Sequence, residues 1–294
     1  MRLNESEIAI VGLGLMGGSL AMRLQPRVRR LVAVDTDPQT LQLAHENGVG
    51  DVLTNDLQRG LRNADAVVLA TPVGAILQIL GELPDMRPDG CLVLDIGSTK
   101  RQIVAAMELL PEVFAAVGMH PLCGKETSGL KAASPELYEG QPLAICRTRR
   151  STAAALTFVE EVALALGARP YEIDAALHDA TVAATSHLPY IAATALMAVG
   201  QHSTASDSGG WELSASGFRD MTRLASSDPK MMLDIIQSPA DEVAGSLRSY
   251  IESLEMIASW IRTAQTDELA SWLRTSQDEH QRYVSEKWEG SNGL

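Results

Sequence analysis

Near its start the chain runs from a strand pattern through a glycine loop into a helix: Ile8-Ala9-Ile10-Val11-Gly12-Leu13-Gly14-Leu15-Met16-Gly17-Gly18-Ser19. No other stretch restricts the fold as much. The spacing Gly-x-Gly-x-x-Gly has little weight by itself. A buried strand before it and a helix after it give each glycine a task. Gly12 makes a tight turn, Gly14 lets the backbone approach a pyrophosphate, and Gly17 lets the helix pack closely on the strand. Leu15 and Met16 lie at the start of that helix, where free N–H groups and the positive end of the dipole favour phosphate.

A second strand pattern ends at Asp35, about 20 residues past the loop, where an acidic side chain accepts hydrogen bonds from ribose hydroxyls. The same charge repels a 2′-phosphate, so the expected cofactor is NAD. Further short runs rich in Val, Ile, Leu and Ala cover Ala66–Ala70, Leu92–Leu94 and Pro142–Cys146. Most lack a two-residue alternation and read as strands buried on both faces of a parallel sheet. Helical segments separate them, which predicts a doubly wound α/β domain of the Rossmann type over residues 1–150. Thr71 and Pro72 follow one such strand and are expected to border the dinucleotide. They equally suit a helix start, with Thr71 capping and Pro72 in the first turn.

Beyond Arg147–Ser151 the composition turns to Ala, Leu, Met, Glu and Gln. Apart from a short strand at Arg169–Ile173, the pattern predicts an all-helical second domain over 151–294, with helices near 152–167, 174–204, 228–237, 240–265 and 267–289. Val243, Leu247, Ile251, Leu254, Ile257 and Ile261 recur at helical spacing and read first as core. Pro189 is expected to kink the long helix it interrupts.

The net charge is −13, from 24 basic and 37 acidic residues, with no basic patch for nucleic acid. An anionic substrate must therefore meet a local cation. Cys91, Cys123 and Cys146 fit neither a zinc pattern nor a disulfide framework, so no metal is expected and a reducing, cytoplasmic compartment is. The N-terminus carries no signal-peptide pattern, and no uncharged apolar run is expected to span a membrane.

Two polar, glycine-punctuated segments follow strand patterns: Asp95-Ile96-Gly97-Ser98-Thr99-Lys100 and Gly118-Met119-His120-Pro121-Leu122-Cys123-Gly124-Lys125-Glu126-Thr127-Ser128-Gly129. Both read as loops at the end of the sheet where a nicotinamide would lie. Removing hydride from an alcohol needs a base for the hydroxyl proton, and His120 is the candidate. A lone histidine is more often structural. For a substrate carboxylate, Arg223 is the candidate, since guanidinium binds carboxylate in a two-pronged fashion. Arg219, next to Asp220, competes but suits an ion pair better. His178-Asp179 is expected to cap a helix or support that network.

In order, GLGLMGGSL, ATPV, DIGSTK, GMHPLCGKETSG, TSHLPY and GFRDMTRLASSDP closely resemble the prephenate/arogenate dehydrogenase family of tyrosine biosynthesis over nearly the whole chain. The resemblance implies NAD-dependent oxidative decarboxylation of prephenate, a cyclohexadienyl alcohol, to 4-hydroxyphenylpyruvate. It implies that His120 accepts the hydroxyl proton and that Ser98 bonds the same hydroxyl and helps orient His120. It implies a gating ion pair for Glu126, which otherwise is an exposed loop carboxylate. His187 becomes a pocket residue, against the alternative of a buried histidine bonded to backbone. Some members carry a histidine where this chain has Tyr190, which leaves that contact open. The resemblance further implies a homodimer built from the C-terminal helices. The polar tail leaves no expected regulatory domain.

Three alternatives stand beside this reading. Arogenate would be oxidised directly to tyrosine. A non-catalytic NAD-binding dimer would bind and not turn over. A β-hydroxyacid dehydrogenase would need a catalytic lysine in the helical domain, and Lys230, at an apparent helix start, suits that poorly.

Overall fold

A computed structural model of the chain describes residues 1–125, 127–204 and 210–289. Glu126 lies outside the described residues. Two compact units emerge, residues 1–243 and 244–294. The first opens with β1 (Glu7–Val11), α1 (Leu15–Leu24), β2 (Arg30–Val34), α2 (Pro38–Glu46), β3 (Val52–Thr54) and α3 (Leu57–Leu61). It continues through β4 (Ala66–Leu69), α4 (Val73–Met86), β5 (Leu92–Asp95), α5 (Arg101–Glu108) and β6 (Ala115–Pro121). Then come β7 (Pro142–Arg147), α6 (Ala153–Leu166) and β8 (Arg169–Glu172).

Among the described residues these strands form one 8-stranded sheet in the order β3-β2-β1-β4-β5-β6-β7-β8. Pairing is parallel from β3 through β6, antiparallel between β6 and β7, and parallel again to β8. The alternation missing from the sequence is present in space. Ile8, Ile10, Ala66, Val68, Leu92 and Leu94 enter one core, and Ala9, Val11, Val67, Leu69 and Val93 enter the other. Both faces are apolar because helices cover both, so these central strand positions are apolar whichever face they meet. The sheet runs to Glu172, past the change in composition near Arg147. The Ala-rich helix α6 explains this: Phe158, Val159 and Val162 are buried in the sheet core.

β3 was not expected, and β6 was expected only as a strand ending before Gly118. β3 is only three residues long. β6 is Ala- and Gly-rich and takes in Gly118–Pro121, so His120 stands on a strand and not in a loop.

A continuous helical stretch follows: α7 (Ala175–Val182), a π-turn at Ala183–His187, and α8 (Leu188–Thr204). The π-turn lies directly before Pro189. A widened turn accommodates a residue that lacks an N–H and crowds the preceding turn. Contrary to expectation, this stretch is long and apolar enough to cross a membrane by length and composition. Its His178 and Asp179, however, are buried against the end of the sheet. The unit closes with α9 (Ser216–Thr222), a 3-10 turn at Arg223–Ser226, α10 (Pro229–Gln237) and the start of α11 (Ala240–Arg262).

The second unit holds the remainder of α11, then α12 (Thr266–Val284). The stripe read as core is only partly so within one chain. Val243 is buried, but Ile251, Leu254 and Ile261 are 45%, 46% and 64% exposed.

The glycine loop gives a direct test of the packing. A Cβ on Gly17 would stand 1.9 Å from the Gly12 carbonyl oxygen, whereas one on Gly14 meets nothing within 4 Å. Gly17→Ala is expected to cost about 1–3 kcal/mol or more. Gly14→Ala should cost less than about 1 kcal/mol. Denaturant unfolding of both variants at one protomer concentration checks the difference.

Candidate active site

In a doubly wound sheet ligands bind where the strand order reverses, beyond the carboxyl ends of the strands. Here that crevice lies between β1 and β4. Gly12 leaves β1 with φ +96°, its N–H bonded to the Val34 carbonyl at 2.8 Å. A Cβ there would come within 2.7 Å of the Ala70 carbonyl oxygen, so only glycine makes this turn without displacing β4. Gly14 is the N-cap of α1 and supplies no side-chain cap. Its free side faces open space, as a close backbone approach to phosphate requires. Leu15 and Met16 form the first turn, and the Met16 carbonyl accepts the Tyr138 hydroxyl at 2.6 Å.

Asp35 stands just after β2. Its Oδ2 accepts the Leu13 N–H at 2.7 Å and its Oδ1 the Asp37 N–H at 2.9 Å. Two backbone donors thus hold the carboxylate beside the glycine loop, and each oxygen keeps a lone pair for a further donor. On the β4 side, the cap of α4 is Pro72 and not Thr71. The Thr71 hydroxyl is buried and has no partner among the described residues. A buried hydroxyl without a partner costs free energy unless a ligand satisfies it. An open Gly14, a fixed acid and an orphaned hydroxyl along one crevice fit a dinucleotide.

The reaction end lies at β5 and β6. Asp95 and Lys100 are fully buried and paired through Oδ2 and Nζ. The same carboxylate accepts the Gly97 N–H at 2.8 Å and the Met119 N–H at 3.3 Å. Burial pushes the Asp95 carboxyl upward, against the pull of Lys100. This cluster ties the loop bearing Ser98 to the strand bearing His120. Ser98 is half-buried in that loop.

His120 is half-buried, and its Nδ1 lies 2.9 Å from Nε2 of His178 with the rings edge to face. His178 Nδ1 lies 2.8 Å from Oδ1 of Asp179. Asp179 in turn accepts the Lys100 N–H at 2.7 Å and the Arg101 N–H at 2.9 Å. Burial, reinforced by His178, Lys100 and His187, drives the His120 imidazole well below its ordinary pKa. Burial raises the Asp179 carboxyl, but hydrogen bonds from His178, Arg101 and Lys100 outweigh it and leave the group lowered. The sequence suggested that His178-Asp179 caps a helix or supports the network of Arg219 and Arg223; the structure instead joins the pair to His120, and the cap of α7 is Asp174. The hydrogen-bond partner found for His120 is His178, not Ser98. A His-Asp pair at a helix start was visible in the sequence; that it reaches a strand 58 residues earlier was not.

His187 closes the π-turn, 2% exposed. Its Nδ1 is buried without a partner among the described residues, so the alternative of a backbone-bonded histidine does not account for that nitrogen. Tyr190 is half-buried in the first turn of α8. Arg223 is exposed and opens the 3-10 turn that packs on α8. Arg219 pairs with Asp220 at 3.2 Å on the surface. Lys230 is exposed in the first turn of α10. Near the site, Thr99 and Ser238 join their hydroxyls at 2.8 Å, anchoring the Ser98 loop to the end of α10.

Comparisons with known proteins agree with this fold. The family described as prephenate dehydrogenase, nucleotide-binding domain, matches residues 19–172. The prephenate dehydrogenase dimerization domain matches residues 174–275. Prephenate dehydrogenase of Bacillus subtilis (strain 168) is 29% identical over 273 residues, covering 92% of this chain and 74% of that protein. Cyclohexadienyl dehydrogenase of Zymomonas mobilis is 29% identical over 265 residues, 89% of this chain and 90% of its own. Among solved structures, prephenate dehydrogenase from Aquifex aeolicus in complex with hydroxyphenyl propionate and NAD⁺ superposes with a TM-score of 0.86 at 28% identity, covering 95% and 98% of the two chains. Synechocystis arogenate dehydrogenase gives 0.79 at 29%, covering 95% and 100%.

The buried imidazole of His187 predicts an acid-sensitive fold. Burial lowers its pKa from 6.5 to about 4. Below pH 6.5 the unfolded chain binds a proton that the folded chain refuses until about pH 4, so stability is full above this window and lost as pH falls through it. The lost contribution is about 3 kcal/mol. In His187→Gln the slope of unfolding free energy against pH across the window should shrink by about 1.4 kcal/mol per pH unit, one proton. Denaturant titrations across that pH range check it.

Proposed function

The chain belongs to the prephenate dehydrogenase family, and on that premise we propose that it carries out the NAD-dependent oxidative decarboxylation of prephenate to 4-hydroxyphenylpyruvate in tyrosine biosynthesis. One observation carries the reading: a histidine, hydrogen-bonded to a His-Asp pair, stands at the carboxyl end of the same sheet that carries the dinucleotide cradle. An alcohol oxidation needs a base that is unprotonated near neutral pH, and a depressed imidazole meets that need.

Gly12, Gly14, Leu15 and Met16 hold the pyrophosphate, Gly17 lets the helix pack close behind them, Asp35 takes the ribose hydroxyls, and Thr71 and Pro72 line the far side. When bound, NAD⁺ supplies the hydride acceptor. His120 accepts the proton of the ring hydroxyl, and Ser98 hydrogen-bonds the same oxygen. As the ring carbon gives up hydride, its C–O bond gains carbonyl character. The bond to the ring carboxylate then breaks, its electron pair completes the aromatic ring, CO₂ leaves, and the oxygen, now a phenolate, takes the proton back from His120 to end as a phenol. Aromatisation makes the step irreversible.

Arg223 binds a substrate carboxylate, which an acidic protein must do with a dedicated cation. His187 and Tyr190 line the pocket, and Glu126 forms an ion pair at its mouth. The active form is a homodimer, which gives the exposed apolar stripe of α11 an apolar partner. A cytoplasmic location accords with three free cysteines.

Purified protein should reduce NAD⁺ with prephenate faster than with arogenate, and NADP⁺ should serve poorly. Turnover of neither cyclohexadienol would sink the reading. His120→Asn should lower kcat by about 10²–10⁴-fold with NAD affinity kept. Arg223→Ala should raise the KM for prephenate by about 10–10²-fold, the value of a charge-assisted pair. Steady-state kinetics with each substrate and cofactor check all of these.

A further inference from the structure

Asp179, His178 and His120 form a line of three groups joined by contacts of 2.8 Å and 2.9 Å. The chemistry of its far end decides where the protons lie. A carboxylate oxygen only accepts, so Nδ1 of His178 carries the hydrogen that meets Asp179. A neutral imidazole with hydrogen on Nδ1 presents a lone pair at Nε2. The contact from His178 Nε2 to His120 Nδ1 is then a hydrogen bond only if His120 donates. The same rule, applied once more, leaves the second nitrogen of His120, Nε2, unprotonated.

We propose that His178 and Asp179 are positioning residues that hold His120 in the Nδ1-protonated tautomer and so expose Nε2 as the base. The proposal rests on the reading of His120 as the proton acceptor. His178 and Asp179 act through His120 and need no contact with substrate. Three supports favour it over a merely structural pair. The backbone N–H groups of Lys100 and Arg101 hold the Asp179 carboxylate and fix the direction of the line. His178 and Asp179 are 2% and 1% exposed, so water does not compete for their protons. When His120 takes up the substrate proton, its bond to His178 becomes charge-assisted and strengthens, so the relay stabilises the protonated base. His178 shares a helix with the π-turn that ends at His187, so the base and a pocket residue are set by one element.

Nitrogen-15 NMR of histidine-labelled protein, with His120 assigned by loss of its signals in His120→Asn, reads the tautomer directly. The proposal expects the unprotonated nitrogen of His120 to be Nε2, and a proton on Nε2 overturns it. This measurement needs no turnover, so it stands apart from the activity reading: wild-type protein inactive on prephenate would refute that reading and leave the tautomer result intact. In kinetics, His178→Leu removes the acceptor and should lower kcat by about 10²-fold or more, with NAD affinity and KM within about threefold. His178→Gln keeps an acceptor toward His120 and a donor toward Asp179, and should recover about tenfold over His178→Leu. A kcat within about threefold of wild type in His178→Leu, or no recovery with Gln, overturns the proposal. Should His178→Leu fail to fold, the wild-type spectrum decides by itself.

Discussion

The Asp179 carboxylate joins the helical segment to the sheet. It gathers the N–H groups of Lys100 and Arg101, where α5 begins without a side-chain cap of its own, and the ring of His178 one residue earlier in the chain. A buried carboxylate is costly unless its lone pairs are filled, and three donors fill them here. That satisfaction fixes α7 on the carboxyl end of β5 and β6. The position of His187, and the start of α8 against which the Arg223 turn packs, follow from that attachment.

Beneath it lies a second buried charge system. Asp95 and Lys100 neutralise each other inside the sheet end, and Asp95 also takes the N–H of Met119, next to His120. A buried ion pair is weak evidence for stability. Its consequence here is local: it fastens two segments that carry the chemistry, and the Lys100 charge helps keep His120 neutral. The protein is strongly acidic overall, yet charge at the site is set by a few groups within hydrogen-bond reach, where the low dielectric makes them count.

Much of the first half was legible from sequence. The glycine loop, Asp35 and the Val/Ile-rich runs require particular backbone geometry or burial on both faces, and local composition reports both. β3 and the end of β6 escaped because their composition is weak: three residues in one case, Gly, Met, His and Pro in the other. They are strands because neighbouring strands offer edges, which is a property of the sheet and not of the segment. The Ala-rich helix α6 resembles the later helices in composition, yet it belongs to the sheet, since apolar spacing records that a face is buried and not what buries it. The stripe on α11 has the same ambiguity: spacing predicted burial, while much of that face is exposed in a single chain.

Sequence alone determined which residue types could do the chemistry. A glycine loop between strand and helix, an acid after the second strand, a histidine among small residues and an arginine near the end of a short helix are statements about backbone freedom, charge and proton affinity, and these are carried by each residue. Tertiary structure alone decided which groups meet. It put His178 within hydrogen-bond reach of His120, left the Thr71 hydroxyl without a partner among the described residues, and moved His120 from loop to strand. The physical reason is that hydrogen bonds and pKa shifts depend on distances of a few ångströms between residues far apart in the chain, and only packing of the helical segment on the sheet end sets those distances.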